Sequence, residues 1–247
     1  MPRRFMLGDT ARMLARWPLG LLLVSWRYLW MTTPLHRCEQ PGDLDDLPPT
    51  LPAALVDDRS QPIADGEGAL WHRVFEVCIV DGELGPTELM AKLASDLNAA
   101  APTEAVLFCK LTGHDQSLRV GDEYVVRMPA PWDGPVRVVD STDGSFRLAT
   151  LVGHLEAGQV EFRARSDGPA LRFTIETWHR CANRLVEWLY ARLRLAKEIQ
   201  LNMWVRYCVG AARVTGGHVR DGVHITTRWI DTGRDLHEAL SRERAGS

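Results

Sequence analysis

The chain has 247 residues, of which 45% are hydrophobic, and its formal net charge is -3 at pH 7. This composition predicts one main domain with a buried core of ordinary size, and the slightly acidic balance argues against a general attraction to nucleic acid. The five cysteines are scattered without a Cys-x-x-Cys pair, which indicates neither a disulfide framework nor a zinc site, so a cytoplasmic protein is expected.

Residues 1–37 form an arginine-rich N-terminal arm around the uncharged stretch from Trp17 to Trp26. As a helix, this stretch would cover about 15 Å, roughly half of a bilayer's hydrocarbon core, so a membrane-spanning helix is not expected. A secretory signal is also not expected, because bulky residues follow the stretch where a small-residue cleavage site is needed. Pro18 instead predicts the start of a helix that ends near Met31.

Two interpretations of this arm remain open, besides a signal or anchor sequence. In one, the helix packs on the main domain as a cover. In the other, it lies at the inner face of a membrane, with aromatic rings at headgroup depth and arginine side chains reaching an anionic lipid surface. The residues at that membrane interface would be Arg16, Trp17, Trp26, Arg27 and Trp30.

Residues 38–69 are rich in proline and aspartate and show no helical or strand period. They are therefore predicted to form an extended connector over the surface, since proline fixes the backbone without donating a hydrogen bond. Beyond this connector, Pro86 is predicted to begin a short helix, because apolar residues then recur at helical spacing up to Leu97.

Seven strands are predicted from runs of apolar or alternating residues. Asp-Gly and Ala-Gly pairs separate the later strands closely enough for hairpins, which indicates an antiparallel meander. The predicted strands are Leu70–Val80, Glu104–Leu111, Arg119–Met128, Pro135–Asp140, Phe146–Val152, Gln159–Arg165 and Ala170–Trp178.

A single long amphipathic helix is predicted from Cys181 to Ala212, because apolar residues recur there on one stripe. Gly210 and the Gly216-Gly217 pair are expected to end it. The alternation from Val223 to Trp229 predicts one extra strand. The chain is thus divided into the arm at 1–37, the connector at 38–69, a main domain at 70–212, and an extra strand with a polar tail at 213–247.

One strand, a helix, six antiparallel strands and a long C-terminal helix follow one another, and this order resembles the helix-grip fold of the START and Bet v 1-like (SRPBCC) superfamily. The expected fold class is therefore α+β: a curved seven-stranded antiparallel sheet wrapped around the C-terminal helix, with an added N-terminal helix. Members of the superfamily bind lipids, sterols, polyketides or other apolar ligands, which implies an apolar cavity between sheet and helix.

The segment from Thr150 to Phe162 reads Thr-Leu-Val-Gly-His-Leu-Glu-Ala-Gly-Gln-Val-Glu-Phe. It resembles the central motif of the uncharacterised DUF1990 (UPF0548) family, in which Gly-Thr-Leu-x-Gly-His is followed by Gly-Glu-Glu and an aromatic residue. Ala149 stands where that family usually has glycine, and Gln159-Val160 replaces the acidic pair, so the chain resembles a divergent branch. The resemblance implies a helix-grip-like fold and no established activity.

His154 and Glu156 are the candidate catalytic residues, because they lie in the turn between two strands beside Gly153 and Gly158. An imidazole there could bind a ligand oxygen or act as an acid or base near pH 7, with Glu156 tuning it. The alternative is that His154 caps the turn through hydrogen bonds to the backbone.

Four further residues are candidates for ligand binding. Trp132, in a proline-rich loop, would act as a lid over the pocket or pack the end of the sheet. Arg180 would hold an anionic head group or face solvent. Gln200, with Trp204 one helical turn later, would present its amide to a ligand oxygen or bond a strand carbonyl.

No metal site and no cofactor are expected, since the histidines lack ligand spacing and no glycine-rich phosphate loop occurs. The leading hypothesis is a non-enzymatic protein that binds an apolar or amphipathic small molecule, such as a lipid or polyketide-like compound, with the arm as a peripheral membrane attachment. The alternative is a cyclase-like or aromatase-like enzyme that uses the same cavity with His154 as acid or base. A second alternative is a module that docks on a partner protein.

Overall fold

The computed structural model describes residues 33–103, 106–113, 117–128, 133–182 and 194–231, with only the backbone of 194–199. In this part of the chain, one nine-stranded sheet is accompanied by two α-helices and three short 3-10 turns. The strands are β1 (Leu35–Pro41), β2 (Glu67–Val80), β3 (Leu107–Thr112), β4 (Glu123–Arg127), β5 (Gly134–Ser141), β6 (Ser145–Thr150), β7 (Glu156–Asp167), β8 (Ala170–Cys181) and β9 (His218–Ile230). The helices are α1 (Pro86–Ser95) and α2 (Arg194–Val214).

The strands lie in the order β1-β9-β2-β8-β7-β6-β5-β4-β3. Strands β3 to β8 pair with their neighbours in the chain, all antiparallel, which confirms the predicted meander. Strand β2 closes the meander by pairing with β8, and β9 then pairs with β2. The α+β class and the long C-terminal helix are also confirmed.

The main core lies between α2 and one face of the sheet, called here the inner face. Alternate residues of each strand point to it, so Phe75, Phe162 and Phe173 meet Tyr207 of α2 there. Burying such side chains stabilises the fold by about 1.5–3 kcal/mol each. Helix α2 is consequently buried on nearly every side between Leu201 and Ala212.

The predicted count of seven strands is wrong, because β1 and β9 extend the sheet beyond β2. Strand β9 covers the predicted extra strand at Val223–Trp229, but nothing in the connector indicated β1. Strand β1 is an almost fully exposed edge strand that pairs in parallel with β9. It therefore shows no apolar alternation, and its position comes from backbone hydrogen bonds that a sequence pattern does not display.

The predicted limits of the long helix also need correction. Cys181 is the last residue of β8, where it pairs with Glu156 and Glu67, and does not start the helix. The predicted start of the helix beyond it lies outside the described residues. Gly210 lies inside α2, which continues to Val214. A glycine at this position allows the helix to approach the backbone at Ala100 closely.

Residues 42–66, called here the strap, cross the outer face of the sheet. Their backbone oxygens and side chains hydrogen-bond to side chains of β2 and β5 to β8. Because buried polar groups need such partners, the strap explains why the outer face carries buried charged residues. The contacts are Asp46 with His72, Pro49 with Gln159, Leu55 and Asp57 with Arg137, Gln61 with Thr150, and Ile63 with Arg180.

Candidate functional site

Four polar side chains meet on the inner face, and they are called here the inner polar cluster: Arg73 of β2, Glu156 of β7, His179 of β8 and Gln200 of α2. Strand alternation places them there, since Arg73 precedes the core residue Phe75 by two positions. The three sheet residues are buried, with 3%, 7% and 6% of Arg73, Glu156 and His179 exposed.

Gln200 connects the two charged members of the inner polar cluster. Its Oε1 accepts a hydrogen bond from Arg73 Nη1 at 3.1 Å, and its Nε2 donates to Glu156 Oε2 at 2.8 Å. His179 Nε2 lies 3.8 Å from the other oxygen, Glu156 Oε1. The Arg73 guanidinium also lies 5.5 Å from the ring centroid of Trp71, a cation-π distance. A buried cation and a buried anion thus stabilise each other through one amide.

A recess adjoins this cluster on the inner face. Val160 of β7 pairs with Leu148 on one side and Thr177 on the other, so it belongs to the interior of the sheet. Its neighbours Leu148 and Phe162 are buried, yet Val160 remains partly exposed. The inner face is therefore only partly covered at this point, which is called here the inner recess.

Aromatic rings form the apolar side of the inner recess. The Trp204 ring packs edge-on against Phe162 at a centroid distance of 5.7 Å, and Phe146 stacks on Phe162 at 4.8 Å. The ring centroid of Tyr207 lies 5.2 Å from that of Phe162, and the Tyr207 hydroxyl donates a hydrogen bond to Leu97 O at 3.0 Å. Such edge-on and stacked pairs hold the rings in fixed positions. The wall beside Val160 is therefore aromatic and apolar.

His154 caps the turn between β6 and β7. Its Nδ1 accepts a hydrogen bond from the backbone N of Glu156 at 2.9 Å, and its ring lies against Gly134, where a Cβ would be 2.7 Å from His154 Cδ2. Burial lowers the pKa of His154 from 6.5 to about 4, so the imidazole is neutral near pH 7. A neutral imidazole whose Nδ1 lone pair already accepts a hydrogen bond has little capacity to take up a proton at that nitrogen.

Arg180 lies on the outer face, on the opposite side of the sheet from the inner polar cluster. Its Nε donates to Gly68 O at 3.0 Å and its Nη1 donates to Ile63 O at 3.3 Å. Only 6% of Arg180 is exposed. Its guanidinium therefore fastens the strap to β8, and the expected solvent-facing position is wrong.

The structure brings together Glu156, Gln200 and Trp204 among the predicted site residues. His154 is bonded to the backbone N of Glu156, and Arg180 lies on the outer face. The other predicted site residues lie outside the described part of the chain: Arg16, Trp17, Trp26, Arg27, Trp30 and Trp132. Sequence reasoning missed Arg73, Thr177 and His179. A signal existed for Arg73, because it is a charged residue at an inward position between the apolar residues Trp71 and Phe75.

Among the described residues, no group of three or more His, Cys, Asp or Glu side chains is arranged so that it could hold a metal ion. The same residues contain no helix that is both long and apolar enough to cross a membrane.

No protein-family model and no curated protein matches this chain. Among solved structures, it is similar to the ginseng major latex-like protein 151 from Panax ginseng, with 11% identity over 57% of this chain and 97% of that one, at a TM-score of 0.42. A hypothetical protein from Helicobacter pylori is 9% identical over 57% of this chain and 87% of its own, and the TM-score is also 0.42. DynU16, a putative protein in the dynemicin biosynthetic locus, is 16% identical over 61% of this chain and 50% of its own, with a TM-score of 0.37. At TM-scores this low, the architecture is defined by the strand order and helix position described above.

Proposed function

We propose that this protein binds an apolar or amphipathic small molecule between the inner face of the sheet and α2. The observation that carries the proposal is the partial exposure of Val160 in a central strand, between the buried residues Leu148 and Thr177. An uncovered apolar position next to converging polar groups is the usual composition of a ligand pocket. Here the polar groups are those of the inner polar cluster.

The inner polar cluster supports the proposal because it is costly for stability alone. Replacing a buried ion pair by apolar residues is often neutral or stabilising, so such a pair is weak evidence for a purely structural role. Arg73, Glu156 and Gln200 hold one another in fixed orientations beside Val160. Preorganised polar groups of this kind would orient a bound molecule without further ordering.

Two finer points belong to the proposal. The resemblance of residues 150–162 to the DUF1990 motif favours a divergent member of that family, and the ligand would be lipid-like or polyketide-like. The N-terminal arm would attach the protein peripherally to an anionic membrane on the cytoplasmic side, through Arg16, Trp17, Trp26, Arg27 and Trp30.

Native mass spectrometry of the full-length protein tests the binding function, followed by denaturing extraction of any small molecule that was carried through purification. We expect a stoichiometric adduct in the wild type. A Val160→Trp variant should lose it, because the larger side chain would fill the inner recess. Val152→Trp is the matched control, since Val152 is 62% exposed and lies outside the core.

Thermal unfolding of both variants would show that they are folded. An adduct retained equally in Val160→Trp would place the ligand elsewhere. Wild-type protein free of any adduct, which also fails to take up apolar molecules added to it, would contradict the function.

A cyclase-like or aromatase-like enzyme is the second candidate, and one observation favours it. Glu156 and His179 lie 3.8 Å apart inside the inner polar cluster, and Glu156 is held by Gln200. A carboxylate beside an imidazole suits proton transfer to a bound molecule. If the protein is such an enzyme, His179→Gln should retain ligand binding and lose turnover, whereas His154→Asn should retain both.

A further inference from the structure

The hydroxyl of Thr177 and the indole N–H of Trp204 are buried on the inner face, and neither atom has a hydrogen-bond partner among the described residues. Only 4% of Thr177 and 7% of Trp204 are exposed. Leaving a buried donor without a partner costs about 1–3 kcal/mol, so such groups need an explanation. A ligand atom is one explanation that can be tested.

Both groups border the inner recess. Thr177 lies between Arg73 and Val160, its register partners in β2 and β7. Trp204 packs against Phe162, two residues after Val160 on the same face, and follows Gln200 by one helical turn. Because Gln200 is bonded to Arg73, this turn of α2 lies over the part of the sheet that holds Thr177. One group therefore faces the recess from the sheet and the other from the helix.

The chemistry of these groups defines what they would bind. An indole N–H can only donate, and a hydroxyl can donate as well as accept, so together they suit an acceptor oxygen. The inner polar cluster contributes one guanidinium and one carboxylate, whose charges compensate each other. The described residues around the recess thus offer no net positive charge to a carboxylate ligand, and its aromatic wall suits an apolar body.

Resting on the proposed function, we infer that the ligand is an uncharged apolar molecule with a carbonyl oxygen, and that this oxygen accepts hydrogen bonds from Thr177 and Trp204. A ketone, ester or quinone oxygen meets this requirement. A fatty-acid carboxylate would gain no net positive charge from the described residues, and a pure hydrocarbon would leave both donors unpaired.

Three probes of the same ring size test the inference: 2-acetylnaphthalene, naphthalene and 2-naphthoate, each measured by equilibrium dialysis at pH 7. The ketone should bind wild-type protein about tenfold more tightly than the hydrocarbon, which is the effect of one or two hydrogen bonds. Naphthoate should bind more weakly than the ketone. Thr177→Val and Trp204→Phe should each lower the affinity for the ketone about three- to tenfold and leave that for naphthalene within twofold.

Trp178→Phe is the matched control. The Trp178 indole N–H also lacks a partner among the described residues and is equally buried, but it lies on the outer face beside His72. Its replacement should change no affinity for any of the three probes. Thermal unfolding would confirm that all three variants are folded, and Thr177→Val should not be destabilised because it removes an unpaired hydroxyl.

Equal affinities for ketone and hydrocarbon, or a ketone preference that survives in both inner-face variants, would overturn the inference and leave the binding function in place. Tightest binding of naphthoate would also overturn it. If none of the probes binds and native mass spectrometry shows no adduct, the binding function itself fails.

Discussion

Gln200 joins Arg73 to Glu156, accepting a hydrogen bond from the guanidinium at 3.1 Å and donating one to the carboxylate at 2.8 Å. A neutral amide thus connects two buried charges that come from different strands. The link also fixes the position of α2 over β2 and β7, since both strand residues hold the same helical side chain.

Replacing Gln200 with leucine should lower the free energy of unfolding by about 2–4 kcal/mol, because hydrogen bonds to charged groups contribute about 1.5–3 kcal/mol each. Urea unfolding would measure the change. Gln40→Leu is the matched control, since Gln40 is exposed on β1, and it should change stability by less than about 0.5 kcal/mol. Similar values for the two variants would contradict a structural role of the bridge.

The lowered pKa of His154 predicts a loss of stability in acid. The pKa of the imidazole is 6.5 in the unfolded state and about 4 in the folded state, so the unfolded protein binds more protons between these two pH values. The free energy of unfolding should therefore fall as the pH decreases from 6.5 to 4, by up to about 3 kcal/mol from this residue.

His154→Asn tests this directly, because the asparagine Oδ1 can still accept the hydrogen bond from the backbone of Glu156. The variant should lose less stability than wild type between pH 7 and pH 4.5. His218→Asn, at a largely exposed histidine, should follow the wild-type pH profile. Parallel profiles for all three proteins would show that His154 titrates normally.

Arg137 fastens the strap to β5. Its guanidinium donates to Glu123 Oε1, Asp57 Oδ2 and Leu55 O, each at 2.8 Å. Burial raises the pKa of Glu123, but the hydrogen bonds from Arg59 and Arg137 outweigh it and hold the pKa below its usual value.

Arg137→Met should lower the free energy of unfolding by about 3 kcal/mol, because it leaves the buried Glu123 carboxylate with Arg59 alone. It should also make the strap more sensitive to limited proteolysis. Arg165→Met is the control, since that side chain is 62% exposed and 4.0 Å from Glu76. If the proteolysis of the strap were the same in both variants, the strap would have to be held mainly by its other contacts.

Gly210 should resist replacement, although it lies inside a helix. Alanine there normally adds about 1 kcal/mol to helix stability. A Cβ on Gly210, however, would lie 2.0 Å from Ala100 O, so α2 would have to move away from the segment after α1. We expect Gly210→Ala to lower the free energy of unfolding by about 2 kcal/mol, a typical effect of overpacking.

Gly144→Ala is the control for this effect, because the nearest atom to a Cβ at this position would be Ala164 O, at an ordinary contact distance of 3.7 Å. Chemical denaturation of both variants measures the difference. If Gly210→Ala were more stable than wild type, α2 could shift away from Ala100 without a loss of stability. The close approach of Gly210 to Ala100 would then not be needed for the packing of α2.

The strand and helix periods alone predict most of the sheet, because strands such as Ala170–Cys181 alternate between the apolar inner face and the polar outer face. They do not predict β1, whose side chains are nearly all exposed and whose position comes from pairing with Val223 and the residues that follow it. Long-range backbone pairing leaves no local period to find.

The candidate site divides in the same way. Gln200 could be singled out because a polar residue near an apolar helical stripe needs a partner, and that expectation led to the correct neighbourhood. His179 could not, because its position near Glu156 depends on which strand lies beside β8 and not on its neighbours in sequence. His154 stands out in sequence through its glycines, but those glycines reflect the shape of the turn.

The parallel pairing of β1 with β9 affects how the N-terminal arm should be removed. A cut after residue 37 would take Leu35, His36 and Arg37 away from Val223, His224 and Ile225, and so expose three of the seven positions at which β1 covers β9. Unpaired strand edges recruit other chains and aggregate. A truncation that ends at residue 32 keeps this edge covered, so a change in membrane partitioning could then be attributed to the arm alone.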